Sequence, residues 1–240
     1  MTPAVLIAGL LSAILPDAHS LLRRIDANAF AATRLTVATL HIRTRRGTRA
    51  IKVRTYSAGT DRSFSEYLSP ERERGTKMLR LGSQLWLYSP QSDRTILISG
   101  HLLRQSVSGS DLSYEDLMDN PLLSHNYSAV TEGLDTVNGR PAWRLSLTGQ
   151  TQGLAYPMRR LWVDAERDLI VREERYARSG RLLKTAEVTA MSRFENRWVV
   201  TGALFRDMLR EGNGTELVVE SLALNIKIPP HLFTKAALRR

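Results

Sequence analysis

Residues 66–120, EYLSPERERGTKMLRLGSQLWLYSPQSDRTILISGHLLRQSVSGSDLSYEDLMDN, change character near their middle. The first half alternates apolar and polar residues in short runs, and turn sequences such as Gly82-Ser83 separate the runs. That pattern is typical of antiparallel strands. From Gly100 onward the alternation stops, and leucines lie among polar residues in a helical or loop-like pattern. The stretch therefore predicts a strand meander that leads into a flap lying over the sheet.

Short alternating segments also fill the rest of the chain. Asn138-Gly139 is a hairpin signal, because both residues tolerate positive φ. We expect about eleven strands with almost no helix, and no change in composition divides the chain into domains. The predicted fold is mainly β, with a single curved antiparallel sheet or an unclosed barrel.

The amino terminus predicts export. Residues 5–15 form an apolar run of eleven residues, shorter than the ~20 residues of a membrane span and typical of a signal peptide. Two features favour a buried helix instead. No Lys or Arg precedes the run, and Pro16 fits poorly at the third position before a cut after Ala18. We expect residues 1–18 to be the signal and residues 19–240 to be one domain.

One amphipathic helix is predicted over residues 17–28. Leu21, Leu22 and Ile25 recur at helical spacing behind Asp17, which can act as the N-cap. We expect this helix to pack on the sheet.

Composition limits the function classes. The chain is 42% hydrophobic and 24% charged, as in globular proteins, and its net charge is +10 with 29 arginines and five lysines. The arginines are spread singly along strands, which disfavours nucleic-acid binding. An anionic lipid surface, an acidic partner and simple solvated faces remain open. The absence of cysteine excludes disulfides, thiolate metal sites and thiol nucleophiles.

Catalytic motifs are not found. The sequence has no glycine-rich phosphate loop, no nucleophile elbow and no zinc-type histidine spacing. His101 with Ser108 or Ser110 and Asp111 is the one possible nucleophilic set, and it leaves a hydrolase as a minor alternative.

The flap also contains a group of acidic residues, namely Asp111, Glu115, Asp116 and Asp119. The calcium-loop pattern is absent. A helix capped by Ser110 or Ser113, with acidic residues in its first turn, accounts for most of these charges. Asp111 can also pair with Arg104. We therefore predict no metal and no cofactor.

A broad sheet with few helices leaves apolar area facing a cavity, which is the usual form of an acyl-chain site. We expect the flap to open for loading, with Gly100 and Gly109 as hinges. The predicted cavity residues are Leu40, Ile42, Trp86, Tyr88, Ile96, Ile98, Leu102, Leu103, Leu112, Leu117, Met118, Trp143, Leu145 and Trp162.

Six segments of the chain resemble the outer-membrane lipoprotein-sorting (LolA-like) family. They are FSEYLSPERERGTKMLRLGSQLWLYSP (64–90), ISGHLLRQSVSGSDLSYEDLM (98–118), GRPAWRLSL (139–147), YPMRRLWVD (156–164), YARSGRLLKT (176–185) and LFTKAALRR (232–240). The resemblance covers nearly all of the chain after Ala18. Its most specific part is the flap motif, whose residues here are Arg104, Gln105, Ser106, Gly109, Ser110, Asp111, Ser113, Tyr114, Glu115 and Asp116.

The resemblance implies a non-enzymatic carrier in the Gram-negative periplasm. Its fold is an unclosed β-barrel of about eleven strands with a helical lid over an apolar cavity. The implied cargo is the acyl chains of lipoproteins, or a free lipid, and the implied partners are an inner-membrane exporter and an outer-membrane acceptor. The sequence departs from the family in its weak signal and at Ser108, where relatives have a bulkier residue. An envelope adaptor whose cavity is filled by side chains is the alternative.

Overall fold

One antiparallel sheet of thirteen strands makes up most of the molecule, instead of the eleven or so expected. The structure, a computed structural model, describes residues 15–44, 47–119 and 122–239. Its α-helices are α1 (Ala18–Ala29) and α2 (Tyr114–Met118). Its strands are β1 (Thr33–Thr44), β2 (Gly47–Ala58), β3 (Arg62–Ser69), β4 (Lys77–Leu81), β5 (Gln84–Ser89), β6 (Arg94–Ile98), β7 (Tyr127–Val137), β8 (Arg140–Gly149), β9 (Met158–Asp164), β10 (Ile170–Tyr176), β11 (Leu182–Phe194), β12 (Arg197–Asp207) and β13 (Thr215–Leu224).

The strand order leaves the sheet unclosed. Strands that follow one another in the chain pair with each other, except β6 and β7, which form the two edges of the sheet. The first strand, β1, also pairs with the last, β13. The predicted hairpin between β7 and β8 is confirmed, since Asn138 and Gly139 have φ of 50° and 76°. The mainly β, open architecture predicted from the sequence is therefore confirmed.

The strands β12 and β13 pair only over Gly202–Phe205 and Thr215–Val218. Beyond this short ladder they diverge, and residues of β11, β12 and β13 line a cleft of about 390 Å³ there. The sheet therefore consists of two halves, β1–β6 and β7–β11, that join through β12 and β13.

Helix α1 packs as predicted on one half of the sheet. Asp17 caps it by accepting a hydrogen bond of 2.7 Å from the Ser20 N–H. Leu21, Leu22 and Ile25 are buried against strands β7–β9, where their partners include Tyr127, Leu145, Leu147, Leu161 and Val163. We call the face of the sheet that α1 covers the inner face.

The flap covers the same inner face on the other half. Strand registers connect the two halves. Leu40 on β1 pairs with Leu217 on β13, which pairs with Ala203 on β12. Paired residues of antiparallel strands point to the same side. The register continues across β11 and β10 to Leu161 on β9, beneath α1.

The carboxyl-terminal segment covers part of the opposite, outer face. Its turns Pro230–Phe233 and Lys235–Arg239 pack on β3–β5, where Phe64, Leu79 and Trp86 are buried.

The predicted signal segment lies mostly outside the described residues, as does Arg46 in the first hairpin turn. Within the described part of that segment, the Pro16 carbonyl accepts a hydrogen bond of 2.8 Å from the Thr131 hydroxyl. None of the described helices is long and apolar enough to cross a membrane.

Candidate functional site

The flap, defined here as residues 100–119, rests on the inner face without joining the sheet. It contains two 3-10 turns, Gly100–Arg104 and Val107–Gly109, followed by α2. Among the described residues, its backbone-to-backbone hydrogen bonds run within the flap or to Ser99. Side-chain contacts therefore hold it in place.

The apolar side of the flap packs on strands β1–β6. These strands present mostly aliphatic side chains, and the flap contributes leucines, Tyr114 and Met118 to the same cluster. Removing such a surface from water is favourable by about 25 cal/mol per Å². The sheet side of the cluster comprises Leu40, Ile42, Ile51, Tyr67, Met78, Leu85 and Ile98, and the flap side comprises Leu102, Leu103, Leu112, Tyr114, Leu117 and Met118.

Two arginine side chains bind backbone carbonyls of the flap at the turn around Ser108. Arg49 on β2 donates to the Ser108 carbonyl, and Arg210 donates to the Ser110 carbonyl. The Ser108 hydroxyl lies 3.3 Å from the Tyr67 hydroxyl. Burial raises the pKa of Tyr67 to about 12, so the phenol stays neutral. Gly109 follows Ser108, and both have positive φ, of 75° and 50°.

Asp111 anchors the flap to β12 and β13. Its carboxylate accepts hydrogen bonds of 2.7 Å from the Thr215 hydroxyl and 3.0 Å from the Asp207 N–H. The predicted pairing with Arg104 is therefore wrong, because β12 and β13 satisfy the carboxylate. Asp111 also does not orient His101, which is exposed, and the buried Ser110 hydroxyl bonds to Leu112. The structure does not assemble the possible nucleophilic set.

Asp116 is the most heavily bonded flap residue. One carboxylate oxygen accepts from the Tyr156 hydroxyl at 2.6 Å and from Arg175 Nη1 at 2.9 Å. The other accepts from Lys184 Nζ at 2.6 Å and from the Ser113 N–H and hydroxyl at 2.7 and 2.8 Å. Ser113 in turn caps α2, which confirms one of the two predicted N-caps. Asp111 and Asp116 thus bind the sheet, and Asp116 also completes the cap of α2.

The ionised form of Asp116 is favoured. Burial opposes the charge, but Arg175 and Lys184 outweigh it and hold the pKa of Asp116 below its ordinary value. Among the described residues, the adjacent Glu115 has no such partner at hydrogen-bonding distance, and burial raises its pKa. Of the two neighbouring carboxylates, only Asp116 is stabilised by ion pairs with the sheet.

A second ion pair extends the network. Arg159 on β9 donates to Asp119 at 2.6 Å and to Glu173 on β10 at 2.9 Å, and its Nε lies 2.8 Å from the Tyr127 hydroxyl. Glu173 also accepts from Arg175 at 2.9 Å. Although Glu173 is buried, these two arginines hold its pKa below the ordinary value. The flap thus spans the inner face, from the apolar strands β1–β6 to the charged strands β9–β11.

No metal centre is seen in the part of the chain that the structure describes. Its His, Asp and Glu side chains form no group of three or more that could hold an ion. Asp116 and Asp119 instead bind basic side chains, and Asp116 also binds Ser113 at the start of α2.

Comparison with known proteins identifies the family. A family model whose description reads "uncharacterized protein" matches residues 59–240. The chain belongs to this family. No curated protein sequence gives a significant match.

Solved structures show that the fold is LolA-like. A LolA superfamily protein from Nitrosomonas europaea has a TM-score of 0.75 at 23% identity, over 94% of this chain and 100% of that one. A domain from Vibrio parahaemolyticus, assigned as an outer membrane lipoprotein-sorting protein, has a TM-score of 0.81 at 20% identity, over 93% and 98%. A DUF1329 family protein from Desulfovibrio piger has a TM-score of 0.84 at 24% identity, over 92% and 97%. These similarities establish the fold.

The LolA-like fold brings together most of the predicted cavity residues. Trp143 and Leu145 lie on the inner face beneath α1. Ile96 pairs with Leu87, which places it on the inner face of the edge strand β6, where it is 46% exposed. The flap cluster contains Leu40, Ile42, Ile98, Leu102, Leu103, Leu112, Leu117 and Met118.

Three predicted cavity residues lie on the outer face instead. Trp86 and Tyr88 pack beneath the carboxyl-terminal segment, where Lys235 Nζ lies 4.4 Å from the Trp86 ring. Trp162 packs with Ala142 and Val171, and its indole donates to Asp135 at 2.9 Å. Side chains of adjacent strand residues alternate between faces, so a one-residue error in register exchanges the faces.

The flap motif separates into exposed and bound residues. Arg104 and Gln105 are exposed, and the Gln105 carbonyl accepts from the Tyr114 N–H. Ser106 and Ser113 form a bridge inside the flap.

The residues that bind the flap carboxylates, and Glu173 that binds two of those residues, were not identified from the sequence. One signal for them is present: Arg159 has the same parity on β9 as the inner-facing Leu161 and Val163. The missed residues are Tyr156, Arg159, Glu173, Arg175, Lys184 and Thr215.

Proposed function

We propose that this LolA-like protein is a carrier that shields the acyl chains of lipoproteins or free lipids on the inner face of its sheet, beneath the flap. One observation supports the proposal most. The apolar inner face of β1–β6 is covered by a segment that has no backbone pairing with the sheet among the described residues. A cover held by side chains can lift without breaking a strand ladder.

The flap leucines occupy the space that an acyl chain would take. Leu102, Leu103 and Leu117 pack on the strands as an alkyl chain would. Each CH₂ that leaves water contributes about 0.8 kcal/mol. A single myristoyl-length chain binds a bilayer only marginally, so a site of moderate size can compete with the membrane. Binding therefore exchanges one apolar occupant for another, with Gly100 and Gly109 as the proposed hinges.

Export and partners are part of the same proposal. The apolar run at residues 5–15 supports secretion to the periplasm. There we place the carrier between an inner-membrane exporter and an outer-membrane acceptor. Its net charge of +10 supports transient contact with anionic membrane surfaces, where each nearby basic residue adds about 1 kcal/mol.

Native mass spectrometry of protein isolated from the periplasm tests the proposal. We expect adducts of lipid mass that disappear on denaturation and that extraction then identifies. A ligand-free mass, together with no uptake of added phospholipid or acylated peptide, would contradict it.

An envelope adaptor is the second candidate, because α1 and the flap already fill both halves of the inner face. It predicts a ligand-free protein that retains a stable partner in a pull-down. The same preparation therefore separates the two functions.

A further inference from the structure

Three buried or nearly buried cations lie on the charged part of the inner face. The side chains of Arg159, Arg175 and Lys184 are 3%, 15% and 13% exposed. Charges this deep require partners. Two of those partners, Asp116 and Asp119, belong to the flap. A flap that lifts removes both carboxylates from the cations that remain on the sheet.

The place that Asp116 occupies is a formed anion site. The Tyr156 hydroxyl, Arg175 Nη1 and Lys184 Nζ converge on its carboxylate at 2.6, 2.9 and 2.6 Å. All three donors lie outside the flap. The Arg175 guanidinium also lies 5.2 Å from the Tyr156 ring, which fixes their relative positions. Two cations and a hydroxyl are suited to bind a phosphate or carboxylate group.

The sheet alone has an excess of positive charge at this place. Arg159, Arg175 and Lys184 remain with Glu173, which bridges the two arginines, and with Asp207, 3.8 Å from Lys184. Three cations and two carboxylates leave a net charge of +1. The open site therefore favours an occupant with a net negative charge.

We propose that the cargo is an amphiphile with an anionic phosphate head group, which replaces the Asp116 carboxylate when the flap lifts. The inference rests on the carrier function proposed above. Asp116 is followed in α2 by Leu117 and Met118, which pack in the apolar cluster. The anion site and the apolar site are therefore adjacent, as the head group and the alkyl chain of a lipid are. In the closed state, the Asp116 carboxylate therefore takes the place of the head group, and Leu117 and Met118 take the place of the alkyl chain.

This exchange keeps the buried cations paired in both states. With the flap closed, Asp116 pairs with Arg175 and Lys184; with the flap lifted, the phosphate does. A lipid without a phosphate would fill only the apolar site and leave the excess positive charge of the sheet uncompensated. A ligand shifts an equilibrium only by its differential affinity for the two states, so the anionic lipid shifts it further.

Lipid binding by the full mature chain, with two lipids that share their acyl chains and differ in the phosphate head group, tests the proposal. We expect phosphatidylglycerol to bind about tenfold or more tightly than diacylglycerol, which has the same chains and no phosphate, the difference made by charged hydrogen bonds. Lys184→Met should reduce the ratio toward one. Asp116→Asn, which removes the flap carboxylate and keeps the donors, should strengthen binding of both lipids and retain the ratio.

The ratio separates charge recognition from simple loosening of the flap. Lys184→Met and Asp116→Asn both weaken the flap contact, but only the first removes a donor from the anion site. Arg175→Met provides a second variant should Lys184→Met fold poorly. Equal binding of the two lipids, or a ratio that survives the loss of Lys184 and of Arg175, would overturn the inference and leave the carrier function standing.

Two further outcomes are distinct. Binding of neither lipid, by the wild type and by Asp116→Asn, would overturn the carrier function and this inference with it. Glycerol 3-phosphate has the phosphate without acyl chains, and we expect no binding at millimolar concentration. Binding of glycerol 3-phosphate as tight as that of phosphatidylglycerol would mean that the site serves a soluble phosphate instead of a lipid.

Discussion

Replacement of Asp116 by Asn should release the flap. The substitution keeps the shape of the side chain and one carbonyl oxygen, but removes the charge that pairs with Arg175 at 2.9 Å and Lys184 at 2.6 Å. Removing one partner of a buried ion pair typically costs about 3–5 kcal/mol. We take the lower end, because the amide oxygen still accepts hydrogen bonds. A loss of about 3 kcal/mol raises the open population about 100-fold.

Thiol labelling measures this population, because the chain has no cysteine of its own. Ile51→Cys places a thiol on the inner face, where residue 51 is 0% exposed in the flap cluster. Leu79→Cys places one on the outer face, where residue 79 is also 0% exposed, beneath the carboxyl-terminal segment. Lifting of the flap exposes only the first thiol, whereas global unfolding exposes both. In the Asp116→Asn background, we expect labelling at position 51 to accelerate about 100-fold and labelling at position 79 to change little.

Glu115→Gln is the matched control, since it neutralises the neighbouring carboxylate of the same helix. Glu115 makes no ion pair with the sheet at hydrogen-bonding distance, and burial already raises its pKa. We expect no acceleration at position 51. Labelling that is equally fast in Asp116→Asn and Glu115→Gln would refute the role of the ion pairs. A parallel increase at positions 51 and 79 would show general destabilisation instead of flap release.

Three further outcomes are expected. The pKa of Asp116 is lowered in the folded state, so its ion pairs stabilise the closed flap at any pH above the ordinary pKa of 3.8 and are lost as pH falls through the folded pKa. The rate of labelling at a buried inner-face thiol should therefore be constant from pH 5 to 8 and rise only below about pH 4. A rise near pH 6 would contradict this. Asp26→Ala should lower the unfolding free energy by about 2–4 kcal/mol in a denaturant titration. The substitution leaves the N–H groups of Leu123 and Ser124, each 2.9 Å from the carboxylate, without an acceptor. No loss of stability would mean that water or another group replaces the carboxylate. Trp86→Phe should lower the melting temperature without changing lipid affinity, because the ring lies on the outer face; a large loss of affinity at unchanged stability would contradict that assignment.

The strands and the first helix were predictable because their signals are local. Asp17, Leu21, Leu22 and Ile25 lie within nine residues, and the predicted helix matches α1 closely. The change from alternating to irregular pattern near Gly100 likewise marks the end of the sheet's first half. The resemblance added the LolA-like fold.

Side-chain orientation and long-range pairing were less predictable. Trp86 and Trp162 looked like cavity residues because large aromatic side chains suit either face of a strand, and only the register decides between them. Asp116 meets Tyr156, Arg175 and Lys184 across 40, 59 and 68 residues of sequence. No local pattern encodes such meetings, because they depend on how the sheet curves beneath the flap.

The position of signal cleavage bears on both the sequence signal and the capping of α1. A signal cleavage after Ala18 would remove Asp17, whose carboxylate caps α1. Loss of such a cap costs about 1 kcal/mol of helix stability. The mass of the mature chain measures where cleavage occurs.

Photo-crosslinking with a phospholipid that carries a diazirine in its acyl chain tests the carrier account most directly. The lipid is bound to the wild-type protein, activated by light, and the attached residues are mapped by mass spectrometry. The account predicts attachment on the inner face of β1–β6, at residues such as Leu40, Ile42 and Ile51 that pack beneath the flap. Attachment confined to the outer face, around Leu79 and Trp86, or no attachment at all, would contradict it.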